Sequence, residues 1–200
     1  MNLNRQSVKF MGYELTATGL QPDARQIEVV QHKPPPINCN GVLRLLGMAT
    51  YLAQFCPSIS EAIVPLRELA TKDTEFMWDE ARHGMALQLK DLLSTAPVLQ
   101  YYDVTKPVTV QCDASQGGLG AVIMRDGKPV EYASRVLSRV ERDSYAQIEN
   151  ELLAIVFSLE HFHTYVFARR ITVQTDHRPL LAIVKKSLTL APQRLQRMLL

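Results

Sequence analysis

The sequence predicts an α/β chain, α+β overall, in which a helical stretch over about residues 1–106 precedes a mixed sheet over 107–200. Three observations predict it. Apolar residues recur at helical spacing in short pieces between 23 and 94, with prolines and polar breaks between them. After Pro107 the pattern changes to three strand-like runs separated by Gly117-Gly118 and Asp126-Gly127, the second a strong hairpin signal. A long helical stripe then leads to a fourth strand that repeats the Thr-Val-Gln-x-Asp pattern of the first. The expected sheet order is 3-2-1-4. The first three strands are expected antiparallel, and the fourth parallel to the first across a helical crossover.

The elements follow in order. Val8 to Leu15 is rich in strand formers, and Thr18-Gly19-Leu20-Gln21-Pro22-Asp23 is turn-like. Pro22 and Asp23 suit the start of a short helix over about 23–31, which Pro34-Pro35-Pro36 terminates. Asn38 or Asn40 then caps a helix carrying Val42, Leu45, Leu46, Ala49, Leu52, Ala53 and Cys56 on one face. Ile59 to Ala70 continues as a helical piece that Pro65 interrupts or starts, and Ala81, Met85, Leu89, Leu92 and Leu93 mark another between Asp79 and Ser94. Strands are expected over Val108 to Asp113, Leu119 to Arg125 and Pro129 to Leu137, with a long helix over about 143–163. Ile171 to Thr175 is the fourth strand, His177-Arg178-Pro179 opens a short helix, and the residues after Pro192 read as helical.

Composition narrows the function classes. The chain has 200 residues, 46% hydrophobic and 21% charged, which excludes a largely disordered chain and suffices for a buried core. No apolar run reaches the ~18–20 residues of a membrane-spanning helix, so no membrane partner is expected. Met1 to Phe10 is polar and carries no signal-peptide pattern. Cys39, Cys56 and Cys112 are widely spaced and form neither a disulfide framework nor a zinc pattern, which suits an intracellular setting, cytoplasm or nucleus. Residues 1–107 carry 10 Lys+Arg against 11 Asp+Glu, whereas 108–200 carry 12 against 9. The mildly basic second half permits a polyanionic partner without demanding one.

The chemistry lies in the repeated pattern. Strand alternation places Thr109, Gln111 and Asp113 on one face of the first strand, and Thr172, Gln174 and Asp176 on one face of the fourth. If the two strands are parallel neighbours in matching register, Asp113 and Asp176 meet at the C-terminal edge, roughly 5 Å apart across the ladder. Open α/β sheets place ligands there. Two ionised carboxylates so close cost about 3 kcal/mol at an effective dielectric of 20, so one protonates or a cation binds. Hard oxygen donors with no His or Cys beside them favour Mg²⁺, or Mn²⁺, over zinc. The competing reading is structural, since strand-end aspartates also start turns and cap helices. A third acid is available from the crossover helix, where Glu149 and Glu151 project roughly 160° apart. Only one of them can face the aspartates, and periodicity does not choose.

Several motifs, taken in order, resemble one family. Cys112-Asp113-Ala114-Ser115, Gly118-Leu119-Gly120-Ala121-Val122, Tyr132-Ala133-Ser134-Arg135, Glu151-Leu152-Leu153-Ala154-Ile155 and Thr175-Asp176-His177-Arg178-Pro179-Leu180 are together similar to the ribonuclease H domain of reverse transcriptases from gypsy-type LTR retrotransposons. Upstream, Phe10-Met11-Gly12-Tyr13 with Gly19-Leu20-Gln21-Pro22-Asp23 resembles the end of the polymerase palm and the entry to the thumb. Leu46-Gly47-Met48-Ala49-Thr50-Tyr51, Phe55-Cys56-Pro57 and Pro65-Leu66 resemble the thumb, and Phe76-Met77-Trp78 with Ala96-Pro97-Val98-Leu99 the connection. The resemblance covers about residues 8–200. It implies palm end, thumb and connection over 1–106 and an RNase H-like domain over 107–200. It also selects Glu151 as the third acid, so that Asp113, Glu151 and Asp176 would bind two Mg²⁺ ions and act on the RNA strand of an RNA–DNA hybrid. The other implied partner is the remainder of the reverse transcriptase or polyprotein.

The departures from the family shape the expectation. No Tyr-x-Asp-Asp hairpin is present, so DNA synthesis by this chain alone is not expected. The family's fourth acid, in an Ala-Asp segment after a fifth strand, would fall beyond Leu200, so the domain is expected to be incomplete at its C-terminus. Leu52-Ala53-Gln54 replaces a more basic stretch common in the thumb of relatives. Arg139, Arg142, Lys185 and Lys186 are candidates for phosphate contact, each weighed against an ordinary solvated charge. His177 reads as a loop or helix-start residue rather than a ligand, and Trp78 as packing. Two functional readings result: a metal-dependent hybrid nuclease, or a catalytically dead or domesticated remnant that at most binds nucleic acid.

Overall fold

A computed structural model describes residues 6–57, 59–71, 76–184 and 193–199. Its N-terminal part begins with a small antiparallel sheet ordered β1-β2-β3, formed by β1 (Ser7–Phe10), β2 (Tyr13–Thr16) and β3 (Leu20–Pro22). The turn-like reading of 18–23 misses β3. β3 instead closes a hairpin with β2, Leu20 pairing with Leu15 across the turn at 17–19, and it also bridges to Leu99 on its other side. Four helices follow: α1 (Ala24–His32), α2 (Cys39–Leu52), α3 (Ile59–Glu68) and α4 (Glu80–Ser94).

Side-chain caps set three of the four starts. Asp23 accepts from the Arg25 amide at 3.0 Å, Asn38 from Gly41 at 2.9 Å, and Asp79 from Arg82 at 2.9 Å. Asn38, not Asn40, is therefore the cap of α2. Pro65 lies inside α3 instead of bounding it. At the other end of α1, Lys90 Nζ donates to the Gln31 and Lys33 carbonyls at 3.1 and 2.6 Å, satisfying groups that a helix C-terminus leaves open. Val42, Leu45, Ala49 and Leu52 of α2 pack with Ile63 and Leu66 of α3 and Leu89 and Leu93 of α4 in one buried cluster.

The second part is a four-stranded sheet of β4 (Thr109–Ala114), β5 (Gly118–Arg125), β6 (Lys128–Val136) and β7 (Thr172–Gln174). Its order is β6-β5-β4-β7, with β4 antiparallel to β5 and parallel to β7, as the patterning predicts. Asp126 and Gly127 turn the β5–β6 hairpin at φ 50° and 73°, the left-handed pair that an Asp-Gly loop supplies cheaply. The expected helix over 143–163 is in fact three pieces: α5 (Arg139–Ser144), α6 (Gln147–His161) and α7 (His163–Val166). Polar side chains make the break. Ser138 and Glu141 form a capping box that starts α5 early, Tyr145 turns extended, and Glu149 Oε2 accepts from the Ala146 amide at 2.9 Å to begin α6 afresh.

Helix α6 packs over β4 and β5 through Ala154 and the buried strand residues Val110, Cys112, Ala121 and Ile123. Helices α8 (Arg178–Val184) and α9 (Gln193–Leu199) lie on the opposite flank of α6, where Leu180 and Leu195 bury Leu152. Among the described residues, no helix is long and apolar enough to cross a membrane.

Glu141 does more than cap. It also accepts from Arg135 Nη1 and Nη2 at 2.9 and 3.1 Å, and the Arg135 bonds are the largest cause of its pKa falling to about 2. A carboxyl with a depressed folded pKa stabilises the fold above its unfolded value, near 4.5, and loses that contribution as pH falls toward 2. Glu141→Gln should therefore lower the melting temperature at pH 7 by about 2–4 °C, the equivalent of ~1 kcal/mol. Melting curves from pH 6 down to pH 2 should show the gap between variant and parent closing.

Candidate metal centre

The site forms where β4 and β7 part. Their parallel ladder pairs Thr109 with Thr172, Val110 with Val173 and Gln111 with Gln174, and stops there. Asp113 and Asp176 lie two residues beyond the last pair, so no ladder bonds close the space between them. Burial along β4 alternates as expected, with Val110, Cys112 and Ala114 inward and Gln111 and Asp113 exposed. From the helix on the inner face, Glu151 enters this gap. One carboxylate oxygen from each of Asp113, Glu151 and Asp176 lies within 4.8 Å of the other two.

Geometry also answers the question that helical periodicity leaves open. Glu149 is committed to structure: it caps the Ala146 amide and accepts from Arg194 Nη1 at 2.8 Å, with that guanidinium stacked 4.2 Å from the Tyr145 ring centroid. Glu151 faces the aspartates and is only 3% exposed. Gln147, one turn earlier, donates from Nε2 to Glu151 Oε1 at 2.8 Å and to the Ala114 carbonyl at 2.9 Å, which ties the helix carboxylate to the C-terminal end of β4. The other oxygen, Oε2, is buried and has no hydrogen-bond partner among the described residues. Burial is the main cause pushing the Glu151 pKa up, and the charges of Asp113 and Asp176 add to it against the Gln147 bond and His177.

This donor set fits a hard divalent cation. It offers three carboxylates and no thiolate or imidazole ligand, and an unpaired buried oxygen is costly unless something satisfies it. His177 is electrostatically close to Glu151, while its backbone amide bonds to Thr175 Oγ1 at 3.2 Å and its carbonyl accepts from Leu180, the pattern of a helix-start residue. Sequence reading misses Gln147, although its four-residue spacing from Glu151 is a usable signal. It also misses Glu61, which reaches the site from α3. An open cleft of about 180 Å³ beside Asp113 is lined by Gln111, Ser115, Val122 and Tyr132 of the sheet and by Pro57 and Glu61 of the helical part. Arg139 and Arg142 are exposed on α5, with Arg139 loosely paired to Asp143 at 3.5 Å. Lys185 and Lys186 lie outside the described residues.

Sheet order, crossover helix and acid cluster together define an RNase H-like domain of the reverse-transcriptase type. Residues 103–200 match the RNase H-like domain found in reverse transcriptase. The chain belongs to the Pol polyproteins of gypsy-type LTR retrotransposons, in which it corresponds to the C-terminal region of the reverse transcriptase together with the RNase H-like domain. It is 32% identical over 189 residues to the Retrovirus-related Pol polyprotein from transposon opus of Drosophila melanogaster, covering 86% of this chain and 19% of that protein. It is 31% identical over 185 residues to the Transposon Tf2-3 polyprotein of Schizosaccharomyces pombe, covering 89% of this chain and 14% of the relative. The chain thus spans less than a fifth of the length of these relatives. The fold matches the foamy viral protease-reverse transcriptase solved in complex with an RNA/DNA hybrid, with a TM-score of 0.83 and 23% identity over 98% of this chain and 27% of that one. It also matches a foamy viral protease-reverse transcriptase solved in complex with double-stranded DNA, with a TM-score of 0.83 and 22% identity over 97% and 35%.

Mutual repulsion within the cluster makes a stability prediction. In EDTA, Asp113→Asn should raise the melting temperature by about 2–4 °C, corresponding to ~1 kcal/mol of relieved repulsion. Added Mg²⁺ should stabilise the parent chain and leave the variant unmoved. Differential scanning fluorimetry with and without Mg²⁺ reads both effects.

Proposed function

We propose that the RNase H-like domain of this chain hydrolyses the RNA strand of RNA–DNA hybrids, using Asp113, Glu151 and Asp176 to hold Mg²⁺, with Mn²⁺ as an alternative. The observation that carries the reading is the convergence of one carboxylate oxygen from each of three acids at the open end of the β4–β7 ladder, beside a Glu151 whose Oε2 is buried and unpaired among the described residues. Two bound Mg²⁺ ions would supply activation of a water and stabilisation of the leaving 3′-oxygen.

The chain's own residues do the rest. Gln147 holds one oxygen of Glu151 and so fixes the carboxylate beside the two aspartates. Exposed Gln111 and Gln174 present polar side chains on the face leading to Asp113 and Asp176, suited to the sugar and phosphate edges of a duplex. Such hybrids are read through backbone shape and the 2′-hydroxyl more than through bases. Arg139 and Arg142 are assigned to phosphate contacts flanking the site. In this assignment residues 1–106 are the palm end, thumb and connection, and the remaining polyprotein is a further partner.

A fluorescent RNA–DNA hybrid incubated with the chain and Mg²⁺ tests the reading. Cleavage is expected, confined to the RNA strand and lost with EDTA. Asp113→Asn, Glu151→Gln and Asp176→Asn should each reduce it by at least about 100-fold, since loss of even an outer partner of a metal ligand commonly costs 10–100-fold. A chain that binds the hybrid but cleaves nothing at any Mg²⁺ concentration would be the remnant described above. Replacing Arg139 and Arg142 with Gln should lower the slope of log affinity against log salt by up to about 2, roughly one per lost phosphate contact. Fluorescence anisotropy at several salt concentrations measures that slope.

A further inference from the structure

The first turn of α3 grips the sheet at the rung that carries Asp113. Across the sheet, Asp113 pairs with Gly120, and Gly120 pairs with Ser134. Two consecutive α3 residues reach this neighbourhood, one at the rung itself and one two residues beyond Asp113. The Ser60 amide donates to Ser134 Oγ at 3.1 Å, at the β6 end of the rung. The Glu61 carboxylate accepts from Ser115 Oγ, at the start of the turn that follows Asp113.

That turn is organised around the same hydroxyl. Ser115 Oγ accepts from the Gly117 and Gly118 amides at 3.1 and 2.9 Å, and the Ser115 amide donates to the Gly118 carbonyl at 2.9 Å. With its oxygen taken by two amides, the hydroxyl has one hydrogen and two acceptors, the Gly118 carbonyl at 3.2 Å and the Glu61 carboxylate, of which the charged one is the stronger. Gly118 is needed for so close an approach. A Cβ there would stand 2.9 Å from the Arg135 carbonyl and 3.1 Å from Glu61 Oε1. Ile59, Ile63 and Leu66 anchor α3 in the helical core, so the carboxylate is delivered by a rigid body rather than by a loose loop.

We propose that Glu61 is a positioning residue for the acid cluster, a clasp by which the helical part of the chain sets the place of Asp113 through the Ser115–Gly118 turn. The proposal rests on the metal-nuclease reading for its consequence in catalysis, and on geometry alone for its consequence in metal affinity. Release of the clasp frees the turn, widens the spread of Asp113 positions and weakens the cluster without removing any ligand. The helical part would then regulate the site through one side chain.

The test uses the full chain with Glu61→Ala, Glu61→Gln and Asp113→Asn. Mg²⁺ is titrated without nucleic acid while the amide NMR signals of Ala114, Gly117 and Gly118 are followed, and amide hydrogen exchange is measured on the same samples. Glu61→Ala should speed exchange at Gly118 and weaken Mg²⁺ binding about tenfold. On the hybrid it should lower kcat about tenfold with little change in KM, the signature of a misplaced group rather than lost substrate binding. Glu61→Gln still accepts the Ser115 hydrogen and should restore most of both. Should Glu61→Ala unfold, Ser115→Ala opens the same clasp from the sheet side. Parent-like Gly118 exchange and Mg²⁺ affinity in Glu61→Ala would overturn the clasp. If those two change while Asp113→Asn cleaves like the parent, the nuclease reading fails and the clasp stands.

Discussion

The parallel register of β4 with β7 is the constraint on which the site depends. Pairing Gln111 with Gln174 places two aspartates the same distance past the end of one ladder. Had β7 slipped by one residue, Asp176 would turn to the other face of the sheet and Asp113 would stand alone. The register is held by what surrounds it. Val110 and Cys112 alternate into the core beneath α6, and Cys112 Sγ lies 3.7 Å from the Gln174 carbonyl across the pair. The crossover through α6 then returns the chain parallel and carries Glu151 on the face that meets the opened strands.

What separates Glu151 from its neighbours is the use of its charge. Glu141 and Glu149 spend theirs on helix starts and guanidinium partners, which holds Glu141 well below the usual carboxylate range. Glu151 has neither. It is buried, it meets two more acids, and one of its oxygens has no partner among the described residues. Folding alone gains little from such an arrangement, because burial of an unpaired carboxylate opposes stability. A cluster of this kind makes physical sense when a cation completes it, and the surrounding structure supplies the rigidity that keeps the three acids together without one.

Much of this was legible because it is local or periodic. The Thr-Val-Gln-x-Asp repeat, the Asp126-Gly127 turn and the apolar stripe of α6 each encode their element directly, and together they define the sheet order. Asp113 and Asp176 were readable for the same reason. Residue periodicity could not choose between Glu149 and Glu151, because both flank the apolar stripe. The choice is made by Arg194, 45 residues away from Glu149, and by the gap between two strands. The break of the long helix at Tyr145 escaped for a related reason, since a capping side chain four residues downstream overrides an unbroken apolar pattern. The bridge of Leu20 to Leu99 and the contact of Glu61 with Ser115 are long-range pairings, invisible to any local rule.

The two cores are joined by more than α3. Residues 99–106 run as a strap between them. Leu99 pairs with Leu20 of the small sheet, the Gln100 amide donates to the Pro129 carbonyl at 2.7 Å, and Arg125 Nη1 donates to the Tyr101 carbonyl at 2.8 Å. Arg169 adds a cation–π contact 5.5 Å from the centroid of the Tyr102 ring and a bond to the Lys106 carbonyl at 3.1 Å. Charged donors to backbone carbonyls are among the stronger hydrogen bonds a surface can offer. The strap therefore fixes one end of the helical part against the sheet, while α3 fixes the other beside the acids. Held at two separated points, the helical part keeps only rotation about the line that joins them. The site thus inherits its geometry from residues on both sides of the strap, and Asp113 is placed by the helical part as well as by its own strand.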